Sequence, residues 1–202
     1  MKKKIICLYT CDADAEFLEI LKNLIDFNKL NSNPFLRLLI VSAGTEKSFH
    51  AGNFLHIGCE EKYENLAKKT FMMVKYLTDH FEFDEIIKID STIVTPKYSE
   101  YKIEDVRGII DSQTNGIYNG LRKLGSKRYM LKAWSRSKGL SVDLNVIPRG
   151  ECVYFYSGKC YSISFDFCNF IANQANRRYI KRFKNEDLMI GSLYNQFCDE
   201  KI

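Results

Sequence analysis

The chain has 202 residues, 46% of them apolar and 13% aromatic, with a formal net charge of +5. That length suits one domain, and that composition builds a sizeable core and excludes a disordered chain. The mildly basic balance favours an anionic partner, whether a nucleotide sugar, an acidic glycan, a lipid headgroup or nucleic acid, without choosing among them.

Residues 3–10 (KKIICLYT) read as a first buried strand. Residues 13–27 carry apolar side chains at 17, 18, 20, 21, 24, 25 and 27, a helical period. Residues 31–34 punctuate, 35–42 (FLRLLIVS) read as a second strand, and Ala43-Gly44 begins a loop. Residues 53–57 suit a short third strand. Residues 61–80 predict a helix with Leu66, Phe71, Met73, Val74 and Leu77 inward, and 84–89 (DEIIKI) a fourth strand running into Asp90. Strand alternating with helix argues for a mostly parallel α/β sheet. Residues 97–150 are polar, with Tyr98, Tyr101, Tyr118, Tyr129 and Trp134 among Lys and Arg, and predict irregular structure with short antiparallel strands. Residues 153–156 read as a strand, 165–175 as a helix and 186–197 as a last helix.

There are seven cysteines and no C-x-x-C pair, so neither a zinc ribbon nor a tidy disulfide set is expected. Cys7, Cys59, Cys160 and Cys168 lie in apolar surroundings and read as reduced core residues, which predicts a reducing cytosol. No apolar run approaches the ~18–20 residues of a membrane span. The apolar run after the opening lysines, Ile5 to Tyr9, is too short for a signal peptide.

Four short patterns carry the chemistry. Tyr63, Asn65, Leu66, Lys69 and Thr70 spell Y-x-N-L-x-x-K-T, and Lys88 and Asp90 spell K-x-D one helix and one strand later. Residues 157–164 read S-G-K-C-Y-S-I-S, and 186–191 read E-D-L-M-I-G. On residue chemistry alone, Asp90 ends a buried strand, where open α/β sheets bind ligands, or else caps a turn. Asp187 lies at a helix start, where acidic residues are favoured in any case. Ser157-Gly158 reads as lying between a strand and a short helix, where Gly158 permits close approach of backbone to a ligand, or forms a plain turn. Tyr9 and Thr10 end the first strand, with Asp12 and Asp14 in the next loop. Tyr9 suits either stacking or a core position.

In order and spacing these patterns resemble the β-1,3-galactosyltransferase and Fringe-like glycosyltransferases, whose segments run roughly D-x-Y-x-N-L-x-x-K-T, K-x-D-D-D, S-G-x-x-Y-x-x-S and E-D-V-x-x-G. The resemblance spans residues 61–191, and within it residues 96–150 match nothing. It implies a GT-A-like, Rossmann-like fold in a single domain: a mostly parallel central sheet flanked by helices. Residues 1–95 would form a nucleotide-sugar-binding half and 96–202 an acceptor-binding and catalytic-base half. Animal members carry a membrane anchor, so its absence here predicts a bacterial or viral catalytic core.

The resemblance implies that Asp187 is the catalytic base and that Asp90 and Thr92 face the donor diphosphate. It sets Tyr9 and Thr10 near the uracil and ribose, with Lys69 also reaching the donor side. Ser157, Gly158, Lys159 and Glu186 would line the acceptor and sugar pocket. It further implies a divalent ion, Mn2+ or Mg2+, on Asp90. The acidic triplet reads Asp90-Ser91-Thr92 here, and a hydroxyl is a poor ligand for a hard cation, so a metal-independent enzyme is the alternative. Basic side chains would then neutralise the diphosphate, with Arg177 and Arg178 the first candidates, since Arg binds phosphate in bidentate fashion. Trp134 is either a sugar platform or packing.

The expected function is transfer of a hexose or N-acetylhexosamine from a nucleotide sugar, a UDP sugar first, to a surface glycan or lipid-linked acceptor, with inversion. The setting would be cytoplasmic, with residues 176–184 holding the enzyme near an anionic membrane. The competing reading is a non-catalytic protein on the same fold that binds glycan or nucleotide sugar. A nucleic-acid partner is not expected, because no helix-turn-helix, zinc finger or RNA-recognition motif accompanies the charge.

Overall fold

The computed structural model describes residues 2–112, 116–174 and 177–200, without the side chains of Asp12, Gln174, Arg177 and Arg178. In chain order its elements are β1 (Lys4–Tyr9), α1 (Ala15–Leu24), α2 (Phe27–Asn31), β2 (Leu36–Ala43), β3 (Phe49–Ala51), β4 (Phe54–Ile57), α3 (Leu66–His80) and β5 (Glu85–Asp90). There follow α4 (Ile103–Asp111), β6 (Tyr118–Gly120), β7 (Lys123–Ser126), α5 (Arg128–Ser137), β8 (Val153–Tyr156), β9 (Cys160–Ser164), α6 (Phe165–Gln174), α7 (Arg177–Ile180) and α8 (Glu186–Asp199). Short 3-10 turns include Tyr63–Asn65 and Ser91–Val94.

The main sheet has the order β3-β4-β2-β1-β5-β9-β6. β4, β2, β1 and β5 are parallel neighbours, while β3 and β9 run against them. β6, antiparallel to β9, rejoins the common direction. β7 and β8 make a separate two-stranded ribbon.

Successive residues of a strand face opposite sides, and both sides of this sheet are covered. Ile5, Cys7, Tyr9, Leu39 and Val41 pack with Phe71, Val74 and Leu77 of α3, Phe167 and Ile171 of α6, and Leu188 and Leu193 of α8. Ile6, Leu8, Leu38, Ile40, Ile87 and Ile89 pack against Leu18 and Leu21 of α1 and Val106 and Ile110 of α4. The fold is therefore one α/β domain, a mostly parallel sheet between two helical layers, as expected. The four cysteines expected in the core are buried, and all seven are free.

Two expectations need correction. The stretch 97–150 is not chiefly irregular: it holds α4 and α5, both amphipathic. Ile103, Val106 and Ile110 already follow a helical spacing, but five of the nine residues of α4 are apolar or Gly in a charged frame too short to stand out. Residues 157–159 lie between two strands rather than between a strand and a helix, because β9 precedes α6.

Candidate active site

β1 ends on Tyr9 and β5 on Asp90, and these two residues are register partners. β9 runs antiparallel to β5, so its first residue lies beside the last residues of β5. Ile89 pairs with Cys160, and the Asp90 amide donates to the Lys159 carbonyl at 2.9 Å. The turn at 157–159 is thereby brought to the carboxyl end of the parallel strands. α8 starts against the same turn. Its cap is Asn185, whose Oδ1 accepts from the Leu188 amide at 3.0 Å, so Asp187 is not the capping residue. A Cβ on Gly158 would lie 2.2 Å from Asp187 Oδ1, so only glycine lets this carboxylate sit where it does.

The motifs meet in one network. Lys88, 1% exposed, donates to the Gly158 carbonyl and to Glu186 Oε2 at 3.2 Å, and lies 3.9 Å from Asp90 Oδ2. Tyr161 donates to Glu186 Oε1 at 2.6 Å. Asp90 Oδ1 accepts from the Thr92 amide at 3.0 Å and its hydroxyl at 2.5 Å, so Asp90 both caps the turn at Ser91–Val94 and faces the site. Lys159 Nζ reaches Thr92 Oγ1 at 2.5 Å and Asp90 Oδ1 at 3.3 Å, and stands 4.0 Å from the centre of the Tyr98 ring. Ser157 accepts from the Tyr101 hydroxyl at 2.8 Å.

A cavity of about 370 Å³ opens at these strand ends. Tyr9, Thr10, Cys11 and Asp14 line it after β1, Glu61 to Tyr63 with Leu66 and Lys69 at the start of α3, and Asp90 and Thr92 after β5. Lys97, Tyr98, Lys138 and Lys159 complete it. Five lysines thus face three carboxylates, which gives a net positive mouth.

The electrostatics separate the two aspartates. Burial opposes ionisation of Asp90, but the Lys88 and Lys159 ammonium groups and the Thr92 bonds outweigh it and hold the carboxyl below its ordinary range. Burial, then the Glu186 charge, push Asp187 the other way, to about 7, with Lys88 and the Gly158 amide only partly offsetting them. Burial also disfavours the Lys88 charge, yet Glu186, Asp90 and Asp187 together raise it above the usual lysine value.

The expected site residues divide. Thr10, Lys69, Asp90, Thr92 and Lys159 line the cavity, with Lys69 held by Glu61 at 2.9 Å and the Thr10 carbonyl at 3.0 Å. Tyr9 has no ring face open to a base: it is 3% exposed, bonded to Thr70 at 2.9 Å and crowded by Lys88 and Lys69, 4.6 and 5.1 Å from its ring centre. Glu186, 4% exposed, has both oxygens engaged and supports Lys88 rather than opening to a sugar. Ser157, Gly158 and Asp187 stand behind Lys159, beside the cavity rather than on its lining. Arg177 and Arg178 begin α7, but their side chains lie outside the described residues. Arg182 pairs with Asp143 at 2.8 Å and Arg122 with Glu100 at 3.5 Å, so these two behave as surface charges. Trp134 is half-buried against the core, its ring centre 6.4 Å from that of Tyr63.

Sequence reasoning missed Glu61, Tyr98, Lys97 and Lys138 as lining residues. Glu61 was within reach, since it stands two residues before Tyr63, where the family pattern has Asp. The other three lie where no motif matches.

The implied divalent ion is not accommodated by these groups. Asp90 Oδ1 already holds Thr92 and Lys159, and Oδ2 faces Lys88. A hard cation needs several oxygen ligands, and two ammonium groups this near would repel it. Among the described residues no group of three His, Cys, Asp or Glu side chains is placed to hold a metal. Nor, among them, is any helix long and apolar enough to cross a membrane.

The fold, a mostly parallel central sheet flanked by helices in one domain, is GT-A-like. The Galactosyltransferase family model matches residues 41–198, well over half the chain, and the chain belongs to that family. The match begins within β2, so the end of β1 lies before it. Comparison with curated proteins finds no match.

Proposed function

We propose that the protein transfers a hexose or N-acetylhexosamine from a nucleotide sugar, with UDP-galactose the first donor to test, onto a glycan or lipid-linked glycan acceptor, with inversion. The supporting observation is the pairing of two unlike aspartates across the 157–159 turn. Asp90 is held ionised at the positive cavity, while Asp187 is poised near neutrality, where a general base works best. In this reading the donor diphosphate lies at Thr92 and Lys159. Asp187 takes the proton from the acceptor hydroxyl as that oxygen attacks the anomeric carbon and the nucleoside diphosphate leaves. Residues 1–95 supply the donor half and 96–202 the acceptor and base half, with Lys97, Tyr98, Lys138 and Lys159 crossing to the donor side. A cytoplasmic setting, a bacterial source and contact with an anionic membrane belong to the same proposal.

The test is a transfer assay with UDP-galactose and simple galactoside or N-acetylhexosaminide acceptors, with UDP binding measured in parallel. The wild-type chain should release UDP with formation of product. Asp187→Asn should bind UDP normally and lose transfer by about 10²–10⁴-fold. UDP binding without turnover on any acceptor or donor would favour the non-catalytic reading, which the altered triplet Asp90-Ser91-Thr92 motivates.

A further inference from the structure

We propose that the Lys159 ammonium does the work of a divalent cation at this site, so that lysines bind the donor diphosphate without metal. This rests on the nucleotide-sugar reading above and says how that site meets its ligand's charge.

Lys159 is fixed on three sides: the Thr92 hydroxyl at 2.5 Å, the Asp90 carboxylate at 3.3 Å and the Tyr98 ring at 4.0 Å. Its side chain is 16% exposed, so it is held in place yet reaches the cavity. An ammonium has three donors; Thr92 takes one and Asp90 pairs with its charge at 3.3 Å, which leaves a donor for a phosphate oxygen. Thr92 matters because it is a hydroxyl. A carboxylate there would add negative charge beside Asp90 and call for a cation, whereas a hydroxyl lets one lysine balance one aspartate.

The remaining lysines sort by what they already hold. Lys69 is committed to Glu61 and the Thr10 carbonyl, and Lys88 is buried with Glu186. Lys97 and Lys138 are exposed side chains on the same lining, each near a tyrosine ring, Tyr98 and Tyr63 respectively. They would add to the field around a bound diphosphate, with Lys159 as its fixed point. Lysine binds phosphate as a point charge and needs no planar fork, so this cluster suffices without arginine.

The experiment is calorimetric titration of UDP into the full chain, in EDTA and again in excess MnCl2. Affinity should agree within about twofold between the two. Lys159→Met should weaken UDP about 10- to 100-fold in both, as expected for loss of a charge-assisted hydrogen bond, with Lys159→Arg recovering most of it. Thr92→Val, which removes only the hydroxyl that fixes the ammonium, should weaken UDP by a smaller factor and serves if Lys159→Met folds poorly. Tightening by manganese of about tenfold or more, lost in Asp90→Asn, would overturn the inference and leave the nucleotide-sugar reading standing. So would wild-type affinity in both Lys159→Met and Thr92→Val. No UDP binding by the wild-type chain in either condition would remove the nucleotide-sugar reading itself, and this inference with it.

Discussion

Asp187 carries a stability cost that its proposed role as the base would explain. Its carboxyl is pushed up to about 7 by burial and by the Glu186 charge, so the folded chain binds a proton that the unfolded chain, near the ordinary aspartate value of 3.8, has released. Between these two values the folded state binds more protons, and stability contributed by this group falls as pH rises through the window. Asp187→Asn should therefore raise the unfolding midpoint at pH 8, with a smaller gain at pH 5, measured by thermal denaturation. The same carboxyl must be ionised to accept a proton. If it is the base, wild-type kcat/KM should rise with pH on a limb near 7, and activity should fall away below it. A limb near 4 in place of one near 7 would exclude Asp187 from that role.

Two glycines show how elements are pressed together for different ends. Gly158 belongs to the β8–β9 turn, and an added Cβ would meet the far end of a side chain, Asp187 Oδ1, at 2.2 Å. The carboxylate can swing away, so Gly158→Ala should cost under about 1 kcal/mol of stability. If Asp187 is the base, transfer should nevertheless fall roughly 10- to 100-fold, because its carboxylate is displaced. Gly191 lies inside α8, where a Cβ would meet the Tyr154 carbonyl at 2.5 Å and the Phe155 Cβ at 2.7 Å. Those are parts of β8 and its ribbon, and neither yields easily. Gly191→Ala should destabilise by about 1–3 kcal/mol, read in urea denaturation. Were Gly158→Ala the more destabilising of the two, the Asp187 carboxylate would be too tightly held to swing aside.

Across the whole molecule, Lys88 and Glu186 tie the sheet to α8. Lys88 comes from β5, the Gly158 carbonyl and Tyr161 from the turn and β9, and Glu186 from the first turn of α8. Breaking one partner leaves a charge that is 1% exposed, balanced by Asp90 at 3.9 Å and by Asp187. Glu186→Gln should cost about 3–5 kcal/mol. It should also lower the acid limb of kcat/KM, since the Glu186 charge is the second cause, after burial, of the raised Asp187 carboxyl. A stability loss with an unmoved limb would separate the structural tie from the tuning of Asp187.

The strands β1, β2 and β5 were legible because burial on both faces leaves a continuous apolar run. β1 and β5 read as KIICLY and EIIKID, and no amphipathic alternative competes. The four motifs were legible because each is local: a helix entry, a strand end, a glycine turn and a helix start. That they form a single site was not written in any of them. It follows from β9 running antiparallel to β5, which turns residues 157–159 back onto Asp90, and from α8 starting against that turn. α4 and α5 were lost in a charged stretch with too few apolar residues to set a clear period. The sequence by itself determined the α/β class, the strand-end aspartate and the acid pair at 186–187, since these depend on short-range pattern. Only the tertiary structure decided that Glu186 is spent on Lys88, that Tyr9 is buried, and that Lys159 occupies the Asp90 carboxylate. Those outcomes depend on which side chains, up to a hundred residues apart, share one low-dielectric corner, where each charge must find a partner.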